Sequence, residues 1–111
     1  MTDEEKRRLV IDEKAIILHY GFEMQAQKLK EELIELFDAA NGYLDKSDTE
    51  AHFLEEMANV EVMIDQMKLH FEALDRVDEI KRAKVKRQLN RIGNEIKKNA
   101  DEIRKSAKGK C

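Results

Sequence analysis

With 111 residues, no proline, four glycines, 5% aromatic and 41% charged residues, the chain reads as a single helical domain with a modest core. That composition excludes a β-rich fold, and a hydrophobic fraction of 41% excludes a wholly disordered chain. The formal charge of −3 conceals an asymmetry: residues 1–75 carry 8 Lys/Arg against 19 Asp/Glu, and residues 76–111 carry 13 against 5.

An acidic front and a basic tail suit a metal site beside an anion-binding surface; solvated helix faces are the simpler account of most of these charges. The acidic front and the lack of aromatics interleaved with the basic residues argue against a nucleic-acid partner. No apolar run reaches membrane length. The single cysteine, Cys111, precludes an intramolecular disulfide and suits a reducing compartment, so a cytoplasmic protein with no membrane partner is expected.

In chain order, Thr2 and Glu5 match a capping box that opens a first helix from about residue 3 to Tyr20, with Leu9, Ala15, Ile16 and Leu18 apolar and Gly21 a break. A second helix is expected over Phe22–Ala40, its stripe formed by Phe22, Ala26, Leu29, Leu33, Leu36, Phe37 and Ala40, with Asn41-Gly42 as the stop. Gln25, Lys28, Glu32 and Glu35 fall along one edge of that stripe, and Glu31 turns further away. Ser47 and Glu50 form a second capping box, opening a third helix to about Leu74 with Phe53, Met57, Val60, Ile64, Met67 and Phe71 as its stripe. Glu56 falls inside this apolar arc, where a carboxylate is costly unless paired or metal-bound, and Asn59 follows one step round. A fourth helix, capped by Asp75 or Asp78, runs through Ile80, Val85, Leu89 and Ile92, with Gly93 bending or ending it. This gives a helical domain over residues 1–93 and a basic extension over residues 94–111, expected as a projecting or fraying helix.

Two stretches stand out, Glu31-Glu32-Leu33-Ile34-Glu35 and Glu55-Glu56-Met57-Ala58-Asn59. Each places oxygen donors one turn apart, and antiparallel packing of their helices converges Glu32, Glu35, Glu56 and Asn59, a hard-oxygen set suited to a divalent cation. The alternative for either stretch alone is solvated helix surface. His19, His52 and His70 share no metal-ligand spacing, and their simplest reading is surface or partial packing. No Ser/His/Asp arrangement, P-loop or zinc pattern occurs.

Tyr20-Gly21, Gln25, Glu31-Glu32-Leu33-Ile34-Glu35-Leu36 and Glu55-Glu56-Met57-Ala58-Asn59-Val60 together resemble the MazG-like, all-α nucleoside triphosphate pyrophosphohydrolases, over about residues 16–92. The resemblance implies a four-helix, bundle-like fold whose core is completed by a homodimer or a dimer of dimers. It implies Mg²⁺, with Mn²⁺ as a substitute, held by Glu32, Glu35, Glu56 and, at the family's final Asp position, Asn59. Glu31 is then a supporting ligand or a water-orienting base, and the reaction is cleavage of an NTP or dNTP to the monophosphate and pyrophosphate. Lys84, Arg87 and Arg91, at i, i+3 and i+7, resemble a basic segment that follows the acidic motif in small members. They, with Gln25 and Lys28, are the substrate-binding candidates, against the plainer reading of a solvated basic face. Asn59 brings no negative charge, which leaves a catalytically decayed relative or a helical interaction module as the alternative.

Overall fold

The computed structural model describes residues 1–109; Lys110 and Cys111, and with them the reading of the lone thiol, lie outside the described residues. Among the described residues the fold is all-α: α1 (Asp3–Tyr20), α2 (Phe22–Leu44), α3 (Glu50–His70) and α4 (Leu74–Gly109), with no strand. Two compact units divide the chain, Met1–Leu74 and the residues from Asp75 onward. No helix among the described residues is long and apolar enough to cross a membrane.

The start of α1 follows from its first five residues. Thr2 Oγ1 accepts from the Glu5 N–H and the Glu5 carboxylate accepts from the Thr2 N–H, both at 3.1 Å, while Asp3, Glu4 and Glu5 oppose the helix dipole. Gly21, at φ +89°, donates its N–H to the Ile17 carbonyl and is the entire connection to α2.

Asn41-Gly42 does not stop α2, which runs on to Leu44. Gly42 is buried inside the helix, and a Cβ there would lie 2.7 Å from Asp48 Cβ. Its lack of a side chain lets the following loop fold back, where the Gly42 carbonyl accepts from the N–H groups of Ser47 and Asp48. Lys46 takes the left-handed conformation instead (φ +66°). The cap of α3 is also displaced from Ser47: Thr49 Oγ1 accepts from the His52 N–H at 3.2 Å, and the helix starts at Glu50. At its far end α3 stops at His70 rather than Leu74, with Glu72 at φ +52° turning the chain.

Helices α2 and α3 run antiparallel. Phe22, at the start of α2, stacks on His70 and meets Phe71 edge-on at the end of α3, with ring centres 4.2 and 5.4 Å apart. Further along, Gln25 Nε2 donates to Gln66 Oε1 at 2.8 Å. The buried faces of this unit carry Glu13, Gln25, Glu32, Glu56 and Gln66 alongside Ile17, Ala39, Val60, Met63 and Ala73. Thus the polar edge of α2 is turned into the packing and part of its apolar stripe is left out: Leu33, Ile34 and Phe37 are exposed, the last at 66%. On α1 the buried pair is Glu13 and Ile17, one turn apart, while the expected apolar positions Leu9, Ile16 and Leu18 are exposed.

Gly93 neither bends nor ends α4, which continues as helix for 36 residues, a length of about 54 Å. Nothing lies within contact of a Cβ built at Gly93, so the position carries only the propensity cost of glycine. Along this helix Ile80, Val85, Leu89, Ile92, Ile96 and Ile103 are all exposed.

Candidate metal centre

Residues 32 and 35 are one turn apart on α2, and the antiparallel register sets Glu56 of α3 against them. One carboxylate oxygen from each of Glu32, Glu35 and Glu56 lies within 4.8 Å of the others. Opposite corners of a Mg²⁺ octahedron are separated by about 4.2 Å, so small side-chain rotations suffice to bring the three oxygens to one ion. Glu32 and Glu56 are each 7% exposed, whereas Glu35 sits at the open edge.

The charges are incompletely balanced. Lys28 Nζ reaches Glu32 Oε1 at 3.3 Å, one turn away, but Glu32 Oε2 is buried with no hydrogen-bond partner. A buried, unpaired carboxylate oxygen is expensive, and a cation between the three carboxylates is the partner that would satisfy it. Repulsion from Glu32, then desolvation and the charge of Glu56, push the Glu35 carboxyl above its ordinary range. Hydrogen bonding and attraction to Glu32 raise the Lys28 ammonium in turn. The donor set is all hard oxygen, which fits Mg²⁺ or Mn²⁺.

Around Glu56 stand His52, whose simplest sequence reading is surface or partial packing, and Asn59, expected from the sequence as a metal ligand. His52 Nε2 lies 3.4 Å from Glu56 Oε1, and Asn59 Nδ2 donates to Glu56 Oε2 at 3.5 Å. His52 Nδ1 in turn donates to Asp48 Oδ2 at 2.5 Å, and the Asp48 hydrogen bond and charge raise the histidine above its ordinary value. Asp48, in the loop just before α3, and His52 and Glu56, one turn apart on that helix, stand at i, i+4 and i+8. That spacing is visible in the sequence, but it is not a metal-ligand pattern, which is why His52 reads there as surface.

Of the other candidates, Glu31 is exposed, 3.8 Å from Lys28, and is not among the three converging carboxylates. Gln25 and Lys28 line a cleft of about 520 Å³ between the helices of the first unit, with Ile16, Tyr20 and Met24 on its walls and Gln66 within it. Lys28 therefore borders both the cleft and the acidic cluster. Lys84, Arg87 and Arg91 belong to α4 in the second unit, where all three are exposed.

Comparison with protein-family models, with curated proteins and with solved structures finds no match to the chain.

Proposed function

We propose that the chain is a divalent-metal-dependent nucleoside triphosphate pyrophosphohydrolase of the MazG-like kind, cleaving an NTP or dNTP to the monophosphate and pyrophosphate. The observation that carries this reading is the convergence of Glu32, Glu35 and Glu56 around a buried carboxylate oxygen that lacks a partner. A triphosphate bears about four negative charges, so its hydrolysis depends on charge neutralisation and positioning. Mg²⁺ or Mn²⁺ bound by the carboxylates supplies that neutralisation and an activated water for attack on the α-phosphorus. Glu32, Glu35 and Glu56 hold the ion, and Asn59 serves Glu56 as a donor. Lys28, bordering cleft and cluster, neutralises phosphate oxygens, and Glu31 orients water. The adjoining cleft, with Tyr20 and Met24 on its walls, offers an apolar surface for the base, and Gln25 is its amide contact.

The exposed Leu33, Ile34 and Phe37 on α2 support association into a homodimer that completes the core. Sedimentation is expected to show a dimer that Phe37→Glu dissociates; a monomeric wild type overturns this part.

The activity is tested by incubating the protein with ribo- and deoxyribonucleoside triphosphates and Mg²⁺ or Mn²⁺. Monophosphate and pyrophosphate are expected from the wild type, none from Glu56→Ala, and activity at lower Mg²⁺ from Asn59→Asp, which adds a charged ligand. Activity only in Asn59→Asp makes the natural chain a decayed relative, and silence from both favours an interaction module.

A further inference from the structure

We infer that Asp48 and His52 are a positioning pair for Glu56, fixing the orientation in which that carboxylate enters the metal centre. The inference rests on the metal-site reading above and adds to it two residues that neither the acidic motif nor its spacing includes.

The geometry is a chain of three contacts that ends inside the first unit. His52 Nδ1 donates to Asp48 Oδ2 at 2.5 Å, and its Nε2 lies 3.4 Å from Glu56 Oε1. Asp48 is itself held, since its Oδ1 accepts the Thr49 N–H at 2.7 Å and its Cβ sits against Gly42, where any side chain would collide. The anchor is therefore built from backbone, and the imidazole between two acceptors has little freedom to turn. Glu56 needs such support because a buried glutamate with three rotatable bonds faces two further carboxylates that repel it.

His52 and Asn59 contact different oxygens of Glu56, Oε1 and Oε2. Each oxygen of an ionised carboxylate carries two acceptor sites, so both can be occupied by these donors and still leave a lone pair for an ion. Where the resembled motif has a fourth carboxylate, this chain has the Asn59 donor, and His52 braces the other side of the same ligand. Outer partners of metal ligands typically account for 10–100-fold in metal affinity.

The test is Mn²⁺ binding by the full chain, read by electron paramagnetic resonance, with helical content checked by circular dichroism. His52→Ala is expected to weaken Mn²⁺ binding at least tenfold, and His52→Gln, which restores a donor toward Glu56, to recover most of that loss. Asp48→Asn keeps the turn but weakens the anchor. It is expected to lower affinity in the wild type and to have no further effect in the His52→Ala background, the coupling that follows if Asp48 acts on the site through His52, while unchanged helical content separates the lost affinity from a fold defect. The wild-type Mn²⁺ signal is expected to lack nitrogen coupling; its presence would make His52 a direct ligand and overturn the positioning role. Tight Mn²⁺ binding unchanged in His52→Ala overturns this inference alone, whereas no binding by the wild type overturns the metal centre with it.

Discussion

Between about pH 5 and pH 8 the protein is expected to lose stability, and Glu13→Gln to remove most of that loss. Glu13 projects from α1 into the packing at 3% exposure, and its Oε2 has no hydrogen-bond partner. The charged groups that act on it come from α3. Asp65 shares a hydrogen bond with it and repels it, and Lys68, 3.9 Å from Asp65, offsets part of that repulsion. Burial first and Asp65 second raise the Glu13 carboxyl from 4.5 to about 7.

Below pH 4.5 Glu13 is protonated in both folded and unfolded chains, so its contribution to stability is complete. Between 4.5 and 7 the unfolded chain releases this proton and the folded one keeps it; stability falls as pH rises and the contribution is lost above about 7. At about 1.4 kcal/mol per pH unit, the loss is on the order of 3 kcal/mol. Urea denaturation of metal-free protein at pH 5, 6, 7 and 8 measures it. Glu35, also raised, adds a slope of the same sign, so the decisive quantity is the difference between wild type and Glu13→Gln. The glutamine keeps the volume and donates to Asp65, giving a flatter profile and a more stable protein at pH 8. A variant as pH-sensitive as the wild type contradicts this account of α1.

Glu56→Gln is expected to leave the metal-free fold as stable as the wild type or more so, while abolishing its response to Mg²⁺. Without metal, three carboxylates within 4.8 Å destabilise one another, and the neutral isostere removes one charge. With metal, an ion held only by the folded chain stabilises it by about 2.7 kcal/mol at one hundred times Kd. In a chain of this size that amounts to a rise in Tm on the order of 10 °C. Thermal melts with and without Mg²⁺ should show the rise in wild type and none in Glu56→Gln. Hydrolysis should fall by more than about 100-fold, beyond what loss of an outer partner costs. Equal Mg²⁺ stabilisation of both proteins would remove Glu56 from the site.

Much of the helical layout is legible from local rules. The Thr2–Glu5 box and Gly21 set the limits of α1, because both act through contacts a few residues apart. Gly42 misleads for the opposite reason: its missing side chain serves Asp48, six residues on, and no helix-stop rule contains that contact. Gly93 misleads because one glycine costs less than the surrounding helix formers supply. In the candidate site, periodicity places Glu56 on the inner face of α3, and its burial agrees. Packing between helices sets the Gln25–Gln66 pair of α2 and α3 and the Glu13–Asp65 contact of α1 and α3, so neither is readable from spacing within one helix, whereas His52 and Glu56, at i and i+4 of α3, are within reach by spacing alone.

The most direct test of the central claim is the nucleotide incubation run in ¹⁸O-labelled water, with mass analysis of both products. Attack of water on the α-phosphorus predicts Mg²⁺-dependent cleavage with the label in the monophosphate and none in pyrophosphate. Label in pyrophosphate or in inorganic phosphate, or no cleavage of any nucleoside triphosphate, would contradict it.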